Sequence, residues 1–449
     1  MTNRPRFRRL VVLAIALMSF ADLGITACTT AGSGGSVNVL ASWTGAEEGA
    51  FRSVLQKFTD ETGITVNYTG NRALNQVLLA DIQNGQPPDV AVLPSVGELA
   101  RYIRSGDVQP VDGIFGAHPT DSYSAQWLQL LQAGMGKLYA VPVKADLKSI
   151  VWYNPAAFPY ERPTTWGQLT AIGDDLRANG KTPWCVGMGA TPASGFPGTD
   201  WIEDILLHQS GPAVYQQWAA GDLAWTSPEV RQAWTTWGEI VAQPGFVRGG
   251  PTAALLTEFS DAGKPMFANP PSCSLEHQAS FIMGGYRNVA GPDGNLLQPG
   301  TGFDFFPFPA FDANAAGVEP TEVSADLAAM FQPSENARML MTYLASEKGQ
   351  AVWPLRGTAF SANKKLLEQN VYTDPVSLKI AETLTSMDTL CFDASDLMPA
   401  KMSDAFFRAV LEYIADPGRL DGLLDSLEKV RTGIQHDDWL NVPCGGSTR

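Results

Sequence analysis

The sequence predicts an α/β protein of more than one domain, and three observations carry that expectation. From residue 36 the chain alternates strand-like and helix-like segments, the pattern of a parallel sheet covered by helices. At 449 residues it is too long for one ordinary core and comfortable for two. A hydrophobic fraction of 45% against 17% charged residues is that of a folded globular chain.

The first element is a leader. "MTNRPRFRRL" carries four arginines, "VVLAIALMSF" is apolar but too short to span a bilayer of about 30 Å, and small residues lead to Cys28. "ITAC" is similar to the lipobox of bacterial lipoproteins, which implies cleavage before Cys28 and a diacylglyceryl group, with palmitate chains, on its sulfur. Residues 1–27 are then a signal peptide, and 28–36, "CTTAGSGGS", a flexible tether. The 422 residues that remain hold 27 basic and 45 acidic side chains, a net charge of −18. That balance argues against nucleic acid as a partner.

"SVNVLASW" reads as a strand, and the following helix places Phe51, Val54, Leu55 and Phe58 on one face before stopping at Gly63. "ITVNYTG" is the next strand, "ALNQVLLADIQNG" a helix and "PPDVAVLP" a buried strand. In such a sheet ligands sit beyond the carboxyl ends of the strands, so the loops at 43–48, 69–72 and 94–97 line one edge. Two extended runs follow in "LYAVPVKADLKSIVWYN", then a helix capped by Thr165. Residues 201–240 are helical in period and hold five tryptophans; "FDFFPFPAF" and "SADLAAMF" return to strand character. "SENARMLMTYLASEKGQAVW" reads as one long helix, and the C-terminal helices break at Pro417 and Gly418.

Cys185, Cys273, Cys391 and Cys444 permit two disulfides in an exported chain. Three pairings are possible, and joining nearest neighbours, 185 with 273 and 391 with 444, is favoured. No two of them lie close enough in sequence for a zinc pattern, and no metal or cofactor is expected.

Beyond these local readings, "WTGAEEGAFRSVLQKFTDETGITVNY", "NGQPPDVAVLP", "GKLYAVPVKADLKSIVWYNPAAF", "PTTWGQL" and "LMTYLASEKGQAVW" resemble the family 1 extracellular solute-binding proteins of ABC importers. "TPWCVGM", "DWIEDILL", "CSLEHQASFIMG", "FDFFPFP", "SADLAAMF" and "FDASDLMP" resemble its α-glucoside subgroup. The resemblance runs in order through nearly the whole mature chain. It implies a type II periplasmic-binding-protein-like fold, two α/β lobes joined by hinges near Lys144, Thr321 and Leu367 with a ligand cleft between them. Lobe 1 would be 37–145 and 322–368, and lobe 2 146–321 and 369–449. It further implies a monomer, lipid-anchored on the extracytoplasmic face of the cell membrane, that hands a sugar to a permease driven by a separate ATPase.

A pyranose needs aromatic faces for its apolar sides and fixed polar groups for its hydroxyls. Trp43 ends the first strand, and Glu48 follows it more favourably placed than Glu47, although either suits a helix start. Arg72 ends the second strand, where the resemblance implies an arginine, and Ser95 lies in the third strand-end loop. Asp200 and Trp201 stand at an expected helix start, as cap and core or as acceptor and stacking face. His277 and Gln278 follow Cys273 closely, and Lys144, Asp326 and Arg356 complete the candidate set, with no catalytic residue. Arg356 falls where the family often has a glycine-rich loop and this chain has "PLRGTAFSAN".

No nucleophile elbow, "HExxH", calcium loop or phosphate loop occurs, and the four histidines are scattered, so an enzyme is not expected. A glycosidase would need a paired acid and nucleophile that the sequence does not single out. A binder of a glycerophosphodiester, polyamine or oligopeptide on the same fold is the serious alternative, and Arg72, Lys144 and Arg356 keep the phosphodiester open. A structural lipoprotein without ligand is a third class.

Overall fold

The computed structural model describes residues 34–311, 320–386 and 390–445. The leader, Cys28 and most of the tether lie outside them.

The alternating start of the chain builds as expected through β1 (Ser36–Ala41), α1 (Gly45–Thr62), β2 (Thr65–Gly70), α2 (Leu74–Gln83) and β3 (Val90–Leu93), and α3 (Val96–Arg104), which the sequence reading did not name, begins inside the loop expected at 94–97. Ser36, assigned above to the tether, already pairs with Thr65 in β1. The helix α1 buries Phe51, Val54, Leu55 and Phe58, and its chain escapes through Gly63 in the left-handed region, φ 71°, where a side chain would be strained. After α4 (Ala125–Leu130), the two extended runs are β4 (Ala140–Leu147) and β5 (Ile150–Tyr153).

Strands β1, β2 and β3 are parallel, but the sheet is completed by β8 (Thr321–Met330), which enters antiparallel between β3 and β4. The order is β2-β1-β3-β8-β4, and the short β9 (Leu390–Phe392) pairs parallel with the start of β8. A separate antiparallel sheet runs β6 (Leu275–His277), β5, β7 (Asp304–Pro307). The two sheets are joined where β4 passes to β5 through Lys148 and Ser149, where β7 leads on to β8, and where the chain returns to β9.

Around the second sheet lie α5 (Trp166–Ala178), with its Thr165–Gln168 capping box, α6 (Phe196–Ser210), α7 (Pro212–Ala219) and α8 (Pro228–Val241). Trp218, Trp225, Trp234 and Trp237 are fully buried and pack with Phe406 and Tyr413 of the helix Ala400–Ala415. The single long helix expected at 334–353 is two, Glu335–Ala345 and Glu347–Val352. Ser346 caps the second by accepting from the Gly349 N–H at 3.1 Å, and Gly349 approaches the Tyr343 carbonyl so closely that a Cβ would lie 2.1 Å from it. The C-terminal break at Pro417 stands as expected. Both disulfides join nearest neighbours, Cys185 to Cys273 and Cys391 to Cys444.

Two buried carboxyls are raised by burial more than their neighbours lower them. Burial pushes Glu276, which accepts from the Tyr286 hydroxyl, up to about 8, and Glu98 of α3 up to about 7. These groups keep their protons in the folded chain at pH values where the unfolded chain has lost them, so stability falls as pH rises. We expect the protein to be on the order of 2 kcal/mol or more less stable near pH 8.5 than near pH 5.5, and Glu276→Gln to remove part of that difference. Denaturant unfolding at the two pH values checks this; a midpoint that rises with pH would contradict it.

Candidate functional site

Along one face of β8 the apolar Met330 and Ala328 give way to Asp326, Ser324 and Glu322. β4 supplies the facing residues, and a bulge decides which: Pro142 pairs with Leu327 but Lys144 with Asp326, leaving Val143 as the extra residue. The shift turns Lys144 and Asp146 onto the polar face of β8. Pro142 is tolerated because β4 is the last strand of the sheet order, and its carbonyl accepts from the Gln350 amide at 2.8 Å.

Lys144 is the centre of the resulting constellation. Its Nζ lies 3.2 Å from Glu47 Oε1, 3.5 Å from Asp146 and 4.0 Å from Asp326, and it stands 5.1 Å from the ring centroid of Phe281. The other Glu47 oxygen accepts from Arg72 at 3.2 Å. Burial works against the ammonium, but the three carboxylates outweigh it and hold its pKa above the usual lysine value. Burial likewise opposes the Glu47 charge, yet Lys144 and Arg72 together hold that carboxyl below its ordinary range. Asp326 is pushed by burial up to about 7 in spite of Lys144, and Asp146 is raised for the same reason.

Phe281 continues into an aromatic wall. Phe259 lies 5.8 Å from it and Phe196 6.5 Å, with 5.1 Å between those two, and all three rings are only half-buried. The loop that carries Phe281 is fixed by Ser280, whose hydroxyl accepts from the Leu147 N–H at 3.0 Å and donates to Asp146 at 2.9 Å. The site therefore offers cations, carboxylates and aromatic faces side by side, the groups a polyhydroxylated ligand requires.

The structure corrects the sequence reading at several positions. Glu48 pairs with Arg52 at 2.7 Å, one turn along the same helix, and it is Glu47 that reaches Lys144. Helical period held the signal: Glu47 precedes Phe51, Val54 and Phe58 by 4, 7 and 11 residues and so lies on the apolar face of α1. Trp43 is 2% exposed and packs edge-on against Phe51 and Trp353, so it is core. Trp201 is core too, between Trp184, His277 and Phe308. Asp200 does not cap a helix; α6 begins four residues earlier at Phe196, and Asp200 is buried on its inner face. Ser95 caps α3, and its hydroxyl donates to the Asp396 carbonyl at 2.7 Å.

His277 pairs with Asp204 at 2.7 Å and Gln278 accepts from the Ala279 N–H, both deep below the site. Arg356 lies exposed in a short helix, Pro354–Arg356, outside the constellation. Arg72, Lys144 and Asp326 are thus brought together with Glu47, which the sequence reading ranked below Glu48, and with Asp146, Phe281, Phe259 and Phe196, which it did not single out.

A second cluster lies at the crossing. Lys148 Nζ contacts Asp200 at 2.9 Å and also Asp393, and among the described residues Asp200, Glu322 and Asp393 each present an oxygen within 4.8 Å of the others. The cation in that cage is the lysine's own ammonium.

Glu47→Gln should cost about 1–3 kcal/mol, because it leaves Lys144 buried with one counter-charge fewer. Glu48→Gln removes an exposed pair worth less than about 0.5 kcal/mol. Denaturant midpoints of the two variants discriminate; equal losses would remove Glu47 from its privileged place.

The family model of the bacterial extracellular solute-binding protein matches residues 43–351. The chain is 34% identical over 436 residues to the osmoprotective compounds-binding protein GgtB of Synechocystis, covering 94% of this chain and 99% of that one. It is 32% identical over 398 residues to the alpha-glucosides-binding periplasmic protein AglE of Rhizobium meliloti, covering 86% and 85%. Among solved structures it is similar to the bacterial solute receptor AcbH, with TM-score 0.74 at 18% identity over 89% of this chain and 97% of that one. Maltose-bound MalE3 of T. maritima is similar with TM-score 0.68 at 14% identity, over 89% and 100%. These structural likenesses speak to the two-lobe fold alone.

Proposed function

Since the chain belongs to the bacterial extracellular solute-binding proteins, we propose that it captures an α-glucoside or related oligosaccharide and delivers it to the permease of an ABC importer. The observation that carries the sugar reading is the Lys144 constellation beside three half-buried phenylalanines. The names of these two relatives, one for α-glucosides and one for osmoprotective compounds, support a polyhydroxylated ligand.

In this reading the lobes are 37–145 with 322–368 and 146–321 with 369–449, and β4 and β8 form the floor of the cleft. Arg72 and Lys144 donate to sugar hydroxyls, Glu47, Asp146 and Asp326 accept from them, and Phe281, Phe259 and Phe196 face the apolar sides of the ring. The protein works by binding, with no chemical step. Sugar contacts made from both lobes add to whatever stability the closed form has without ligand, and so shift the population further toward it.

The same contacts weigh against the non-sugar alternatives. A phosphodiester needs free positive charge, whereas Arg72 and Lys144 are already matched to carboxylates. A polyamine needs free carboxylates, and the ammonium of Lys144 occupies the place it would take.

Family membership places the mature chain outside the cytoplasm, and among the described residues no helix is long and apolar enough to cross a membrane. We assign the attachment to a diacylglyceryl group with palmitate chains on Cys28, following a cleaved signal peptide, and a monomer as the working unit. Cys28→Ser should release the protein from the membrane fraction into the soluble one; persistent membrane partitioning would sink the anchor.

Thermal unfolding of residues 34–449 against α-linked disaccharides, trehalose, glycosyl polyols, glycerophosphodiesters and polyamines tests the ligand class. A sugar at about 100 times its Kd should stabilise the protein by about 2.7 kcal/mol. Phe281→Ala and Glu47→Gln should each weaken that sugar at least about tenfold, and Glu48→Gln should leave it unchanged. A shift with a phosphodiester or polyamine and with no sugar would transfer the reading to that solute.

A further inference from the structure

Three stretches of chain connect the two sheets, and all three meet at Lys148. The lysine lies between β4 and β5, its N–H donates to the Glu322 carbonyl at the start of β8, and its ammonium holds Asp200 of α6 and Asp393 just beyond β9. Ser149 adds to the knot: its hydroxyl donates to Asp204 of α6 and accepts from the Glu322 N–H at 2.7 Å.

One ammonium faces more acids than it can neutralise. Glu203, Glu322, Asp200 and Asp393 are all essentially inaccessible to solvent. Both oxygens of Glu322, one of Glu203 and one of Asp200 have no hydrogen-bond partner. Among the remaining groups facing the cluster, His277 pulls against burial at Asp200, but it and His208, 3.5 Å from Asp204, are both directed at Asp204. Asp204 from α6 is engaged by Ser149 and His277, the latter from β6. Tyr215 from α7 donates its hydroxyl to the Phe392 carbonyl, and Asp396 beyond β9 brings a further carboxyl.

Carboxylates within 4.8 Å of one another in a dry interior repel strongly, so the excess acids must hold protons or the crossing must admit water. Burial, reinforced by the neighbouring acids, pushes Glu203 and Glu322 well above the ordinary carboxylate range, while Asp393, against the pull of burial, is held ionised by Lys148.

We propose that this cluster is a proton-holding pivot: the acids that Lys148 cannot neutralise carry protons at neutral pH, and their loss loosens the crossing and shifts the two lobes toward the open form. The proposal rests on the two-lobe binding reading and adds a regulation to it. Solutes would be held in a closed cleft under neutral and mildly acid conditions and released more readily under alkaline ones.

The test needs no ligand. Small-angle scattering of the mature chain is followed from about pH 6 to pH 9.5, with far-UV circular dichroism alongside to confirm that the chain stays folded. The radius of gyration should rise reversibly in the wild type and stay at its low-pH value in Glu322→Gln, which keeps the volume and removes the ionisable group. Glu203→Gln is the second variant, used in the same way if the first does not fold. A wild-type radius that is constant over the range, or variants that follow the wild type, overturns the pivot. A sugar titration near pH 6 reads the binding function separately. Opening without any sugar binding would keep the pivot and defeat the sugar reading, and sugar binding with a pH-independent radius would do the reverse.

Discussion

The architecture depends on one late strand arriving in the middle of an early sheet. β8 returns after about 170 residues of intervening chain and pairs antiparallel with both β3 and β4, so the first sheet is incomplete until the second has been made. Its sequence serves three surroundings in turn. Met330 and Ala328 pack beneath α1 and the helix Glu335–Ala345, Asp326 and Ser324 are partly accessible, and Glu322 is sealed at the crossing. A strand with period two can do this because all of these side chains share one face. The route from core to site to crossing is a walk of eight residues along that face.

β4 answers β8 with Lys144, the turn just after β4 adds Lys148, and their surroundings separate their roles. Lys144 is reached by Glu47 from α1 and by the ring of Phe281, and its carboxylates retain some accessibility through Asp326 and Glu47. Lys148 is enclosed by acids from α6 and from the turn after β9. Replacing either lysine by a neutral residue would strand buried carboxylates, and that penalty ordinarily exceeds the net worth of the pair itself. The Val143 bulge matters for this reason: without it Lys144 would turn toward the apolar face and Asp326 would lose its partner.

How much of this could be read in advance follows from how each feature is encoded. The opening β1 to β3 run was legible because α1 shows a helical period and β3 is a short, fully apolar run of the kind a parallel sheet buries on both faces. β6 and β9 have three residues each and show none. "SADLAAMF" was recognisable as strand, but no local signal says that it pairs between β3 and β4, because such pairing is decided by contacts far apart in sequence. Asp200 misled because an acidic residue ahead of an apolar run looks like a cap, whereas α6 is buried nearly all round and carries Asp200, Glu203, Asp204 and His208 inside. A helix that buries four ionisable groups requires partners from elsewhere: Lys148 serves Asp200, Ser149 and His277 serve Asp204, and the Ala394 N–H serves Glu203.

The aromatic residues show the same division between composition and place. Tryptophan was the natural first choice for a stacking face, yet its size makes it the most effective filler of a core, and Trp218, Trp225, Trp234 and Trp237 fill one together. Trp43 stands at a strand end where a ligand would be expected, but the neighbouring Phe51 and Trp353 close over it. The rings left partly uncovered are phenylalanines from three separate segments, and they stay uncovered because the polar floor of β4 and β8 lies opposite them instead of another apolar layer. An apolar wall facing a charged floor cannot satisfy itself by collapse, since closing it dry would strand the carboxylates of Asp146 and Asp326. In the binding reading proposed above, a ligand with one apolar face and a rim of hydroxyls satisfies both sides at once.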